Sequence, residues 1–181
     1  MQPDVDAVIA ATQVWLDKAV IGLGLCPFAA RVVREGGLRL WVSDARTPGG
    51  LLEDLALQLR ELCSTDPAEC ETTLLIHPWV LTDFYDFNEF LADCERTLAE
   101  LDLDGIIQIA SFHPQYQFAG TTPEDIGNYT NRSPYPMLQL LREDSVARAA
   151  SSLADPGEIY RANIQTLEAL GPEGWARLWR E

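Results

Sequence analysis

Short β-type runs that alternate with helix-type stretches constrain the fold of this chain more than any other feature. Such runs occur at Leu38–Val42, Thr72–His77, Ile106–Phe112 and Met137–Arg142, the last of which could also begin a helix. Between them, apolar residues recur at steps of three and four, as in amphipathic helices. The pattern predicts an α/β protein with a small mixed or largely parallel sheet of about four strands covered by helices. A ferredoxin-like α+β sandwich is the alternative.

Apolar spacing also places the first helices. It predicts an N-terminal helix over Asp4–Leu23, a second helix behind a turn at Pro48–Gly50, and a third helix that Thr82 can cap and that extends to Leu101. A chain of 181 residues can bury enough apolar surface for one stable domain. One domain over residues 1–181 is therefore predicted.

Capping signals place the long C-terminal helices. Asp144 is expected to cap a helix around Val146–Leu153. Asp155 followed by Pro156 has the composition of a helix start, with aspartate as the cap and proline in the first turn. Gly171 and the proline after it should end this helix before a short terminal turn.

The chain is strongly acidic, with 28 Asp and Glu against 13 Lys and Arg and a formal net charge of −15. Such a field repels phosphate backbones and anionic lipids, so nucleic-acid and membrane partners are disfavoured. No stretch approaches the roughly 20 consecutive apolar residues of a membrane span, and the acidic start is unlike a signal peptide. A cytoplasmic location is expected, where the four cysteines, none in a C-x-x-C pair, would stay reduced.

Two histidines, His77 and His113, each end a predicted strand and each precede a proline. Proline biases the residue before it toward extended geometry, so each imidazole should be held at the carboxyl end of its strand. If the two strands are parallel, both histidines face the edge where α/β proteins bind ligands. Imidazole is the usual general base and a common metal ligand. Alternatively, each ring only hydrogen-bonds a loop carbonyl.

Cys26 lies in a turn, directly after the first helix, unlike the cysteines that border apolar helix faces. With His77 and His113 it could form a catalytic site in which the thiol is the nucleophile. The same three residues could bind a divalent metal, Zn or Fe, with one open position. Only the fold could bring them together, and a buried structural cysteine is the alternative.

A long polar and aromatic loop runs from His113 to Pro136. Loops of this length tend to be functional, and this one is predicted to cover the site and bind substrate. Arg132 is the candidate for binding an anion. The alternative is an Ω-loop whose side chains satisfy its own backbone. The predicted substrate-binding residues are Tyr116, Gln117, Asn128, Tyr129, Asn131, Arg132 and Tyr135.

Four motifs together carry a family resemblance. They are GLCPFA at Gly24–Ala29, TLLIHP at Thr73–Pro78, ASFHPQYQFAG at Ala110–Gly120 and NYTNRSPYP at Asn128–Pro136. The chain resembles, over nearly its whole length, a mainly bacterial family known as domain of unknown function 1415. The resemblance implies a single domain and supplies no activity, cofactor or catalytic residue.

Two functions remain open from the sequence. The first is an enzyme that acts on a small anionic or amide-containing molecule at the Cys26, His77 and His113 site, under the loop. The second is a non-catalytic module that binds a ligand or a protein, including another copy of the chain, through aromatic residues. A small-molecule ligand is expected in the first case, and a homo-oligomer is compatible with the second.

Overall fold

A four-stranded sheet organises the computed structural model, which describes residues 3–151, 155 and 157–180. Its strands are β1 (Leu38–Val42), β2 (Thr72–Ile76), β3 (Ile107–Phe112) and β4 (Met137–Arg142). They lie in the order β1-β2-β4-β3, with β1 parallel to β2 and β4 antiparallel to both β2 and β3. The predicted α/β class with a mixed sheet is confirmed. The chain order β-α-β-α-β-β differs from the β-α-β-β-α-β order of the ferredoxin-like alternative.

Helices precede, connect and follow the strands. The described helices are α1 (Val5–Trp15), α2 (Ala29–Arg34), α3 (Pro48–Ser64), α4 (Phe84–Glu100), α5 (Glu143–Ala150) and α6 (Gly157–Arg177), with a π-helical segment (Leu16–Ile21) that continues α1 and a 3-10 helix (Ile126–Asn131) between β3 and β4. The helices predicted before β1, β2 and β3 are present. The short helix α2 was not predicted.

Helix starts follow local hydrogen bonds. Pro48, predicted to be in a turn, is the first residue of α3, because the Thr47 hydroxyl accepts a hydrogen bond from the Gly50 amide and caps the helix. The cap of α4 is Asp83 and not Thr82, since the Asp83 carboxylate accepts hydrogen bonds from the next two free amides. A carboxylate is also the better partner for the positive end of a helix.

The C-terminal helices agree with the predicted pattern where the structure describes them. Helix α5 begins one residue before the predicted cap, and α6 bends at Gly171, whose φ of 66° interrupts the helical geometry. Glycine tolerates this left-handed conformation without steric cost. The predicted helix end at Leu153 and the predicted first-turn Pro156 lie outside the described residues.

The two faces of the sheet are covered unequally. On the first face, α3 and α4 pack against strand residues that are almost fully buried, among them Thr73, Leu75, Ile107, Leu138 and Leu140. On the second face, α1 and its π-helical continuation cover only the half near the carboxyl ends of β1, β2 and β3, where they bury Ile76 and Met137. The other half of the second face lies under α2 and α5 and is only partly covered.

Candidate functional site

The two histidines lie close together at one edge of the sheet. Strands β2 and β3 run in the same direction on either side of β4, so His77 and His113 follow strand ends at the same edge. Both side chains are fully buried on the first face. Their rings pack against the ring of Phe87 in α4, with centroid distances of 5.4 and 5.2 Å.

Both histidines hydrogen-bond the loop between β2 and α4. His77 Nδ1 lies 3.0 Å from the carbonyl oxygen of Val80, and His113 Nε2 lies 3.3 Å from that of Leu81. The Gln115 amide donates to His113 Nδ1, which fixes Nε2 as the protonated nitrogen of a neutral ring. The two histidines therefore hydrogen-bond the carbonyls of consecutive residues, Val80 and Leu81. Leu81 has a left-handed φ of 56°.

Burial keeps both imidazoles uncharged at neutral pH. Desolvation lowers the pKa of His77 from 6.5 to about 4, although the hydrogen bond to Val80 opposes this shift. Desolvation also lowers the pKa of His113, against the hydrogen bond to Leu81 and the charge of Asp83. His77 Nε2 is buried and has no hydrogen-bond partner within the described part of the chain.

A third polar residue at this edge, Ser43, was not predicted. Ser43 follows β1 directly, and its backbone amide donates to the carbonyl of Ile76. Because β1 is parallel to β2, Ser43 lies beside His77. The Ser43 hydroxyl is fully buried and donates to the carboxylate of Asp54 in α3. The sequence signal that could have identified Ser43 was its position directly after a predicted strand.

Cys26 is not at this edge. Side chains alternate between the two faces of a sheet, so residues 73 and 75 of β2 share the first face with His77, while residues 72 and 74 occupy the second. Cys26 lines a cavity over the second face together with Thr72 and Leu74. The sheet therefore separates Cys26 from the two histidines. Among residues 3–151, 155 and 157–180, no three His, Cys, Asp or Glu side chains form a group that could hold a metal ion.

A cavity lies above the half-covered part of the second face, and we call it the sheet chamber. Its volume is about 420 Å³. Its floor is formed by Leu38, Leu74, Gln108, Phe112, Gln139 and Leu141. Its roof is formed by Cys26, Val32, Val146, Ala149 and Ile159, mainly from α2, α5 and the residues before α2. Neither α2 nor α5 has a fully buried side chain.

The chamber has an apolar lining that contains a few polar groups. Gln108 and Gln139 project from its floor and are only partly buried. Gln139 Nε2 donates to the Thr72 hydroxyl at 3.3 Å, and that hydroxyl donates to a backbone carbonyl of β4. Thr130 Oγ1 is buried at the chamber wall without a hydrogen-bond partner in the described chain. These groups could orient a bound molecule.

The loop between β3 and β4 uses much of its polar surface on itself. The fully buried Asn128 accepts a hydrogen bond from the amide of Phe118 and donates to the carbonyl of Thr122, at 2.9 and 2.8 Å. The Gln117 amide donates to the carbonyl of Thr121. These contacts are those of an Ω-loop that satisfies its own backbone.

Arg132 also bonds within the loop. Its guanidinium donates to the carbonyls of Tyr116 and Pro123 at 3.2 and 2.6 Å, and it stacks over the ring of Tyr129 at 4.3 Å. Its own carbonyl accepts a hydrogen bond from the Trp15 indole at 2.9 Å. The predicted anion-binding residue thus holds the loop together and ties it to α1.

The other predicted substrate-binding residues are spread over different surroundings. Tyr116 packs against the ring of Phe84 on the first face, with a centroid distance of 5.4 Å. Tyr135 packs into the core of the second face. Asn131 lines the chamber, and its amide donates to the carbonyl of Ser111 at 3.0 Å. Among the predicted site residues, Cys26 and Asn131 are the ones that line the chamber.

The fold and the chamber together define a mixed α/β protein that is tightly packed on one side of its sheet and has a partly open cavity of about 420 Å³ on the other. The chain belongs to the family described as "Protein of unknown function (DUF1415)", whose model matches residues 7–177. This confirms the family resemblance of the sequence motifs. Comparisons with curated proteins and with solved structures found no match. No helix in the described ranges has both the length and the apolarity needed to cross a membrane.

Proposed function

We propose that this protein binds a small molecule with a largely apolar body in the sheet chamber. The observation that carries the proposal is the cavity of about 420 Å³ over one half of the second face. Sites for drug-sized ligands measure about 300–1,000 Å³, and an apolar cavity of about 150 Å³ already binds benzene. The chamber therefore has room for a body larger than one benzene ring.

The apolar lining of the chamber supports an occupant. The chamber is partly open to solvent, so without a ligand its Leu and Val side chains face water. An apolar molecule that fills the space removes this apolar surface from water, which is favourable.

The roof of the chamber is suited to admit a ligand. Helix α2 has six residues, α5 has eight, and neither contributes a fully buried side chain. Segments with few buried apolar contacts open locally at low free energy. We therefore expect a ligand to enter by displacement of α2 or α5, while the sheet and the first face stay closed.

Binding at the chamber is preferred here over the enzyme site expected from the sequence. That hypothesis needs Cys26, His77 and His113 in one cleft, whereas the first lies over one face of the sheet and the histidines lie on the other. The ring nitrogens of His113 are both engaged with the backbone. The catalytic role of these residues stays a prediction, and the proposal corresponds to the non-catalytic ligand-binding alternative.

The proposal is tested by titration with N-phenyl-1-naphthylamine, an uncharged dye that fluoresces in apolar surroundings. Ala149 lines the chamber, so Ala149→Trp should fill part of it and weaken dye binding at least tenfold, which is about 1.4 kcal/mol. Ala147 is exposed on the same helix and provides the matched control Ala147→Trp. Equal dye affinity in the unaltered protein and both variants, with unchanged circular dichroism, would overturn the proposal.

A further inference from the structure

We infer that the polar group of the molecule bound in the sheet chamber is an uncharged amide, held between Gln108 and Gln139. This inference rests on the proposed function and specifies its ligand class. Both glutamines lie on the chamber floor within an otherwise largely apolar surface. A glutamine side chain offers one acceptor and two donors, which is the complement of another amide.

The strand register brings the two glutamines to one point of the floor. In the antiparallel pair of β3 and β4, Gln139 is opposite Ala110 and Gln108 is opposite Leu141. The two glutamines are therefore diagonal neighbours on the same face, with Cα atoms about 7–8 Å apart. Side chains of this length can reach a single group that lies between them.

Much of the hydrogen-bonding capacity of these two side chains is unused. Gln139 spends one N–H on the Thr72 hydroxyl at 3.3 Å, which leaves its carbonyl and a second N–H. The Gln108 side chain makes no hydrogen bond to the described residues. A ligand amide can both donate to and accept from the two glutamines, whereas a hydrocarbon would leave them unsatisfied.

The charges around the chamber argue against an anionic ligand group. Two arginines line it, but Arg31 pairs with Glu35 at 2.9 Å, and Arg142 directs its Nη2 to the carbonyls of Leu62, Thr65 and Cys70. The half-buried Glu71, also in the lining, and the net charge of −15 disfavour a carboxylate further. An ammonium group could approach Glu71, but it carries only donors and cannot accept from the glutamine N–H groups.

The experiment compares ligands that share one body and differ in the polar group. 3-Phenylpropanamide, 3-phenylpropanoate, 3-phenylpropylamine and propylbenzene are used to displace N-phenyl-1-naphthylamine from the full chain at pH 7.5. The amide should bind at least tenfold more tightly than the carboxylate and the amine. Gln139→Leu should reduce the affinity for the amide ligand about tenfold, because the ligand loses a hydrogen-bond partner. The affinity for propylbenzene should stay unchanged or rise, because leucine is apolar.

Gln165→Leu is the matched control, since Gln165 is exposed on α6 and does not line the chamber. Equal affinities for the amide and propylbenzene, a preference for the carboxylate or the amine, or an equal effect of Gln139→Leu on all four ligands would overturn the inference. Each of these results leaves dye binding in the chamber intact. Loss of the proposed function instead appears as dye binding that Ala149→Trp does not weaken, so the two failures are distinguishable.

Discussion

At the scale of single residues, the two buried histidines act on the backbone of one loop. His77 and His113 bind the neighbouring carbonyls of Val80 and Leu81, and the second of these residues has a left-handed φ. A non-glycine residue in that conformation costs of the order of 1–3 kcal/mol and persists only where its surroundings hold it. The pair of imidazoles supplies that support.

Protonation of His77 should make stability depend on pH. Its pKa is 6.5 in the unfolded chain and about 4 in the folded protein. Between these values only the unfolded chain takes up the proton, so the free energy of unfolding falls as the pH falls through this window. The expected contribution is roughly 3 kcal/mol, lost between about pH 6.5 and pH 4.

The measurement is urea unfolding at several pH values, for the protein and for His77→Gln. Other groups titrate in both chains, so the informative quantity is the difference between their free energies of unfolding. We expect this difference to be largest near pH 7 and to shrink steadily toward pH 4. A difference that stays constant over this range would contradict the assignment of a buried, neutral His77.

Residue-level prediction from the sequence succeeded in one respect. Both His-Pro corners lie at the same edge of the sheet, as expected if their strands ran in one direction. The position of Cys26 could not be predicted. Along a strand, alternation assigns each side chain to one face of the sheet, but Cys26 lies in a loop, where no such alternation applies. The face it covers depends on how α1 crosses the sheet, which is a long-range packing result.

At the scale of elements, Arg142 joins β4 to the end of α3. Its Nη2 donates to the carbonyls of Leu62, Thr65 and Cys70 at 2.8 to 3.0 Å. The last carbonyls of a helix lack partners within it, and a cation is favourable there. One side chain therefore holds the C-terminal end of α3, the turn after it and the strand.

Arg142→Met should lower the free energy of unfolding by about 2–4 kcal/mol, because hydrogen bonds from a charged group are removed and partly buried carbonyls lose their donor. Arg148→Met is the control, since Arg148 is exposed on α5 and its side chain donates a hydrogen bond to the Ser145 hydroxyl of the same helix. That variant should change stability by less than about 0.5 kcal/mol. Equal effects of the two substitutions in urea unfolding would refute the role of Arg142.

Element prediction worked where a pattern was local and long. The strands at Leu38–Val42 and Met137–Arg142 were predicted with the bounds observed, and α4 was expected from its regular apolar spacing. The missed helix α2 has only six residues and no buried side chain, so it carries no apolar stripe. The cap of α4 was misplaced by one residue because Thr82 and Asp83 are both good caps.

At the scale of the whole molecule, the two faces of the sheet are covered unequally, and the proposed ligand site depends on this. The helices α3 and α4, of 17 residues each, pack against the first face. The partly covered half of the second face lies under the short helices α2 and α5. Gln108 and Gln139 were visible in the sequence as polar residues in β-type runs. Their position as diagonal neighbours on the floor of the chamber follows only from the pairing of β3 with β4.

The most direct test of ligand binding in the chamber is to locate a bound ligand. We would crystallise the protein with 3-(4-bromophenyl)propanamide and find the bromine by anomalous scattering. We expect a bromine in the sheet chamber, above the floor that contains Leu74 and Gln139. A fully occupied bromine beside His77 and His113 on the opposite face, with the chamber empty of ligand, would contradict it.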